Sequence, residues 1–502
     1  MIDNHIIAPI LIHLFTAIIQ LACWSKTLTQ RVLSIAGAAI GFAYSLSLFI
    51  RVYTGEILTM NAANWDAPFG IVFVADLFSS TLVLLTSIAA LAVSIFSAVG
   101  VGKARMLYGY FPIFHFLIMG LNGAFLTGDI FNLYVWFEVI IIASFVLLTL
   151  GGRKEQLEGA VKYMALNILA STFFLTGIGI LYGITGTLNM ADLSLKVPLV
   201  QDQSIVNLTS MFFIIGFGIK SAVFPLYFWL PSSYHTPPSA VAATFGGLLT
   251  KVGLYAMFRV FTLIFIPNDF LRTVLIVLAI LTILTGALGA IVKHDIRRLF
   301  SYLIVCHIGF IVGGLGLYTK IAFMGAIFYL IHDIMVKTNL FLISGLIRQM
   351  RGTLDTPKLG GLYSEYPKIS LLMALVLFSL VGIPPLSGFW PKIYLFEASF
   401  NANSYFFIGS LILASFITLY VIAKLWAEVF WKEASTTEPL SDSFKELSVF
   451  KKTLLVLPVG MLAAVTLFIG LHAEFIIQVV DRISNELLNT SPYIKAVLGN
   501  KL

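Results

Sequence analysis

Four lysines fall in the middle of long apolar stretches, Lys220, Lys251, Lys337 and Lys392, and the carboxylate of Glu138 lies in another. A charge at the centre of a bilayer costs at least about 2.5–3.5 kcal/mol. Four unpaired lysines would cost roughly 10 kcal/mol, as much as the net stability of a whole protein, about 5–15 kcal/mol. Such groups are kept where they face a wet interior, pair with one another and pass ions or protons. Burial and a neighbouring carboxylate push the proton affinity of a lysine in opposite directions, so a Glu–Lys pair that opens and closes takes up and releases protons. Glu138 is the natural partner of Lys220, with a static pair joining two helices as the alternative. Lys251, in GGLLTKVGLY, has no acid on its own segment and reads as a relay; its mid-span position argues against snorkelling. His332 and Lys337 share one segment with Asp333 between them. Histidine suits a proton relay, although a satisfied polar group fits His332 as well, and His307 is the weaker relay candidate. Lys424 and Glu428 have the i, i+4 spacing of a pair on one helix face. Glu397 is either a partner of Lys392 or a surface group, and Asp76 marks the outer end of its segment.

The chain that must position these groups has 502 residues, 59% hydrophobic and only 11% charged, with a mean hydropathy of +0.97. Soluble domains carry about 25% charged residues; this is an all-α polytopic membrane protein. The net charge of +7 does not point to nucleic acid, because the basic residues sit in short loops between apolar runs. Cys23 and Cys306 both lie in apolar segments and form no disulfide framework or metal pattern. The N-terminus lacks a basic n-region and a cleavage site and reads as a retained first helix. The sequence contains no GxxxxGK[ST] phosphate loop, no HExxH, no CxxC and no dinucleotide fingerprint. His5, His13, His115, His235, His294 and His472 are scattered without ligand spacing. No cofactor is expected, no enzyme activity is indicated, and the energy must come from an ion gradient or a partner subunit. The GxxxG pairs Gly37/Gly41, Gly179/Gly183 and Gly309/Gly313 read as helix packing.

Runs of about 20 apolar residues are candidate spans. About 14 are present, near 5–23, 32–51, 73–99, 107–126, 129–150, 160–183, 205–230, 238–265, 271–292, 299–317, 320–348, 369–400, 404–431 and 453–477. The seventh and twelfth are long and interrupted by proline: Pro225 follows Lys220, and Pro384 and Pro385 precede Lys392. Proline removes a backbone donor, and broken backbone at membrane depth persists only where protein or water satisfies it. Two broken helices five spans apart, each with a lysine at its break, point to an internal repeat and a transport site. If the loop after the first span is cytoplasmic, 18 of the 31 basic residues fall on that side and 7, Lys501 among them, on the other. The positive-inside rule then places both termini outside. The tail after residue 478 is a short interfacial helix or disordered.

At these residues the sequence resembles the antiporter-like family shared by respiratory complex I and the Mrp-type multisubunit cation/proton antiporters. The stretch KSAVFPLYFWLPSSYHTPPSAVAATFGGLLTKVGLY, with HDIRRLFSYLIVCHIGF and GIPPLSGFWPK, carries the likeness. It covers nearly the whole chain and is greatest to the D-type Mrp subunits, through NWDAPFGIVFVADLFS and the early end after the last span. Tyr227 stands where complex I relatives have a histidine, which puts the Lys220–Lys251 connection in question. The resemblance implies an N-terminal segment (1–106), two inverted five-helix repeats, spans 4–8 (107–265) and 9–13 (271–431), and a C-terminal part (432–502). It assigns Glu138 and Lys220 as the switchable pair, Lys251 as the central relay, His332 as the next carrier and Lys392 as the terminal lysine. His332 and Lys337 stand five apart rather than the family's four, so that either a local bulge corrects the phase or only one of them lines the path.

The expected function is ion translocation by one subunit of a sodium/proton antiporter in a bacterial plasma membrane. The substrates are Na+ and H+, and the partners are other membrane subunits, including a second antiporter-like one. The alternatives are a proton-pumping subunit of a quinone oxidoreductase or hydrogenase, and a structural subunit whose charges hold helices together.

Overall fold

The computed structural model describes residues 4–433 and 442–499. Lys501 and part of the 432–452 loop lie outside the described residues. Twelve described helices are long and apolar enough to cross a membrane, and two shorter apolar helices, Tyr110–Leu126 and Pro367–Val381, stand where the fourth and twelfth runs are expected. The helices start where short polar side chains take up the free amides of the first turn. Asp76 and Ser79 form a reciprocal capping box, and Asp129, Asn268, Asp295 and Thr319 cap further helices.

Burial sorts the helices into a core and a rim. Ser239–Leu263 and Lys320–Arg351 have their apolar windows 100% enclosed by the rest of the chain, and Ile296–Leu317 94%, against 33–44% for the flanking helices such as His5–Ala22 and Asp269–Ile291. Lys320–Arg351 is the axis, packed against Ile296–Leu317, Phe389–Asn401, Val449–Leu471 and the turn at Phe245–Leu249. Lys251 and Lys337 ride on the two enclosed helices and are 0% exposed, which excludes snorkelling for Lys251.

Both proline-interrupted runs are broken as expected. Gln203–Lys220 stops at Lys220 and helix resumes at Trp229; Pro367–Val381 ends on Gly382, at φ +87°, and resumes at Phe389. Pro225, Pro384 and Pro385 lie inside the breaks.

Four features depart from expectation. The apolar VFVA before the third helix is a strand: β1 (Leu58–Asn61) pairs antiparallel with β2 (Val72–Ala75), and the helix starts at Leu77 rather than near 73. Lys320–Arg351 is continuous α-helix with no bulge to bring His332 and Lys337 into phase. A π-turn occurs instead at Phe245–Leu249, just before Lys251. A Cβ on Gly179 or Gly183 would meet nothing within 4 Å, so no close helix contact requires these glycines, whereas one on Gly37, Gly41 or Gly313 would press on Thr16, His13 or Phe407.

The tail forms helices Ala473–Leu488 and Ser491–Leu498. The first lays Ile476, Val479, Val480 and Ile483 against the protein, contacting Lys320–Arg351. Arg482 clamps it to the carbonyls of Tyr53 (2.7 Å) and Val52 (3.2 Å).

Candidate functional site

The two enclosed helices meet at Asp333. Its Oδ2 is 2.7 Å from Lys251 Nζ, and its Oδ1 is 3.3 Å from His307 Nδ1 and 3.8 Å from Lys337 Nζ. Within the π-turn the carbonyl of Gly246 accepts from Lys251 Nζ at 2.9 Å. Such turns recur at functional sites because they leave backbone groups without intrahelical partners. Asp333 and Lys337 are i, i+4 on one helix face. One carboxylate stands between two lysines, so at most one ammonium is balanced. The group can hold or release a proton without first parting its only ion pair.

Upstream, Lys220 is the last residue of its helix, where the carbonyl end favours a cation. No ion pair or hydrogen bond joins it to Glu138. Lys220 Nζ donates to Ser171 Oγ (3.3 Å) and lies 4.9 Å from the centre of the Phe137 ring. One residue further along the helix is a turn of about 100°, so this arrangement presents the Phe137 ring rather than the Glu138 carboxylate to the ammonium. Glu138 Oε1 is buried without a partner. The expected switchable pair is therefore open. A cavity of about 20 Å³, bordered by Tyr163, Asn167, Lys220, Val252 and Gly253, lies beside Lys220 and reaches the helix of Lys251. That is room for one water.

Downstream, His332 turns away from Asp333 towards the second break. Its Nδ1 is 2.7 Å from Ser387 Oγ, which is 2.8 Å from Ser379 Oγ. Lys392 Nζ donates to the carbonyl of Val381 at 2.7 Å, bridging the two halves of the broken helix. Five residues on a continuous helix are 140° apart, so His332 and Lys337 face different neighbours and no local bulge is needed. The Tyr329 ring stands between His307 and His332, with centroids 5.3 and 5.6 Å away. Ser221 Oγ, Thr250 Oγ1, Lys337 Nζ, His307 Nε2, Tyr329 Oη and His332 Nε2 are all buried without a hydrogen-bond partner. Buried polar groups need partners, and this string of orphans follows the charged row from one break to the other.

Sequence reasoning names Glu138, Lys220, Lys251, His332, Lys337 and Lys392. It passes over Asp333 as the organising carboxylate and underrates His307. The i, i+4 relation of Asp333 to Lys337 is a usable signal; the approach of Lys251 from another helix leaves none. Glu397 is exposed and does not pair with Lys392. Lys424 and Glu428 lie 3.9 Å apart, as their spacing suggests. Asp76 also forms a buried ion pair with Arg259, whose guanidinium lies 4.9 Å from the Tyr493 ring of the tail.

Residues 127–418 match the family model described as "NADH:quinone oxidoreductase/Mrp antiporter, TM". The chain is 42% identical over 498 residues to the D-type subunit of the Na(+)/H(+) antiporter of Alkalihalophilus pseudofirmus, and 40% identical over 498 residues to its counterpart from Bacillus subtilis, with 99% of each chain covered in both cases. It superposes on a chain of the Mrp complex from Dietzia sp. DQ12-45-1b with a TM-score of 0.90 at 28% identity, covering 99% of this chain and 100% of that one. A chain of respiratory complex I from Thermus thermophilus shares the fold, with a TM-score of 0.80 at 22% identity over 96% of this chain and 100% of that one. The chain belongs to the NADH:quinone oxidoreductase/Mrp antiporter membrane family.

Proposed function

We propose that this member of the NADH:quinone oxidoreductase/Mrp antiporter membrane family is the D-type subunit of a multisubunit sodium/proton antiporter, and that it carries protons along the row Glu138, Lys220, Lys251, Asp333, Lys337, His332 and Lys392. The observation that carries the reading is the single carboxylate, Asp333, set between Lys251 (2.7 Å) and Lys337 (3.8 Å) in a region closed to lipid and solvent. Water bridging the orphaned polar atoms along the row supplies the hydrogen-bonded steps that proton transfer requires. His307, hydrogen-bonded to Asp333, extends the relay, and His332 leads towards Lys392 through the serines of the second break. Flow along the row is coupled to sodium export. The fourteen helical runs are read as spans, with two inverted repeats at spans 4–8 and 9–13 and both termini outside a bacterial plasma membrane. Its partners are the other membrane subunits, a second antiporter-like one among them. No metal or cofactor enters the mechanism. The likeness to the D-type antiporter chains at 40–42% identity favours this over an oxidoreductase or hydrogenase component, for which the shared family model and the fold speak.

The test is sodium-driven proton movement in inverted vesicles from cells lacking their own antiporters. The whole complex carries Glu138→Ala, Lys220→Ala, Lys251→Ala or Lys392→Ala, and assembly is followed by blotting the partner subunits. Loss of exchange with assembly intact supports the row as the path. Exchange that survives all four changes makes the charges structural and moves the route to another subunit.

A further inference from the structure

A second buried polar column lies outside the charged row, in the N-terminal helices. His13 on Ala8–Ala22 and His115 on Tyr110–Leu126 face each other with their Nδ1 atoms 2.9 Å apart and rings stacked at 5.2 Å. His115 Nε2 is 3.0 Å from Ser34 Oγ, which is 3.4 Å from Ser94 Oγ. These side chains are 0–1% exposed. Helix Ala8–Ala22 buries His13, Thr16 and Gln20 while exposing Phe15, Ile18 and Ile19. Helix Thr27–Thr54 buries Gln30, Ser34, Gly37, Gly41 and Ser45 while exposing Val32, Ile40 and Ile50. The inner faces set these polar residues among buried Ile10, Ala17, Ala38, Leu48, Phe49 and Val52, while the outer faces are apolar. Gln20 Oε1, Gln30 Oε1, Ser45 Oγ, Thr86 Oγ1 and Asn122 Oδ1, on the same group of helices, are buried without partners. The column runs from Gln30, bonded to the Trp24 carbonyl (2.7 Å) at one end, to Asn122, bonded to the Pro9 carbonyl (3.2 Å) at the other. Helix Ala8–Ala22, which lies along it, has 15 residues, about 22 Å of a hydrocarbon core of about 30 Å.

The chemistry follows from two ring nitrogens sharing one proton. Two Nδ1 atoms at hydrogen-bond distance need opposite tautomers, one donating and one accepting. If His115 donates from Nδ1, its Nε2 accepts from Ser34. When a proton arrives at Nε2, the Nδ1 proton passes to His13 Nδ1, and His13 releases its own from Nε2. One proton enters and one leaves: Ser34 gives its hydroxyl proton to His115 Nε2 and takes up the incoming one, and the two rings exchange N–H bonds. The return to the starting tautomers requires each ring to rotate or the proton to run back. No charged side chain lies in Ala8–Ala22, Leu77–Gly100 or Tyr110–Leu126 to fix the rings, and the charges of Thr27–Thr54 are Arg31, set against the sulfur of Met106, and Arg51 near its far end.

We propose that His13, His115 and Ser34 form a second proton relay, separate from the lysine row, through the N-terminal helices. The proposal rests on the reading that this subunit moves protons. In the same vesicles, His115→Gln keeps one donor and one acceptor and can tie the helices together, but an amide does not exchange tautomers. The expected result is an exchange rate lowered at least about tenfold, as for loss of a positioned proton carrier, with partner subunits still assembled. Ser34→Ala, which leaves the histidine pair in place, also lowers exchange and decides the matter if His115→Gln fails to assemble. Unchanged exchange in the assembled His115→Gln complex, or in Ser34→Ala where His115→Gln does not assemble, overturns the relay and leaves a helix tether. Lys251→Ala separates the two readings. If it is inactive while the N-terminal variants are normal, the second relay fails and the lysine row stands; if it is active together with Glu138→Ala, Lys220→Ala and Lys392→Ala, the row itself fails.

Discussion

Replacing Asp333 by Asn tests the centre of the site with the least change in volume. The substitution takes away the carboxylate 2.7 Å from Lys251 and 3.8 Å from Lys337 while keeping an acceptor for His307. Removing one partner of a buried ion pair costs about 3–5 kcal/mol when the other stays charged. At about 1.4 kcal/mol per factor of ten, that is roughly 10²–10⁴ in the equilibrium for holding a charge at this position. The two lysines left escape most of that cost by staying neutral, so the complex assembles and the relay fails. The expected outcome is normal amounts of partner subunits on blots and sodium-driven exchange in inverted vesicles reduced by about 10² or more. Asp333→Glu keeps the charge and restores part of the activity. Full exchange by an assembled Asp333→Asn complex would refute the reasoning, because no other carboxylate pairs with Lys251 or Lys337 among the described residues.

Three further outcomes follow from other contacts. Gly247→Ala puts a methyl group into Thr338 at the π-turn; overpacking of about 1–3 kcal/mol displaces the Gly246 carbonyl from Lys251 and lowers exchange, whereas a fully active variant would show that the turn does not position Lys251. Asp76→Asn breaks the buried pair with Arg259 that joins the third helix, the eighth and the tail; a loss of about 3–5 kcal/mol appears as a lower melting temperature of the complex in detergent. His235, in the loop after the first break, donates from Nδ1 to the Pro231 carbonyl (2.9 Å) and accepts from Arg298 at Nε2 (2.9 Å). Burial, then the charge of Arg298, pushes it down to about 4. The unfolded chain takes up that proton near 6.5, so the loop's stability is full above 6.5 and falls as the pH drops towards 4. Labelled imidazole resonances checked by NMR should therefore show His235 neutral at pH 5.5, and half-protonation near 6.5 would contradict this.

Much of the fold is legible because the bilayer imposes a length and a polarity on every span: a helix occupies each expected run, and the proline clusters mark both breaks. What escapes is anything set by which face of one helix meets another. Asp333 looks incidental beside His332 because the helix that brings Lys251 to it is distant in sequence. His13 and His115 look scattered because 102 residues separate two rings that touch. VFVA looks like the head of a helix because a strand covered on both faces reads as a continuous apolar run. Charge alone pairs Glu138 with Lys220, and the structure sets the Phe137 ring against that lysine instead. The tail, read as a short interfacial helix or disordered, forms two helices because its apolar residues find the protein rather than lipid or water, which its sequence does not say.

The contact between Lys392 and the Val381 carbonyl ties chemistry to mechanics. A broken helix leaves carbonyls at its end that nothing in the backbone satisfies, and here one of them is held by Lys392, the last lysine of the proposed row. Charged, that lysine draws the two half-helices together; when its proton leaves, the electrostatic part of the clasp goes with it. On the proposed route the joint would stiffen and loosen with each proton that passes, giving the membrane's stored electrical and chemical energy a lever in the polypeptide itself.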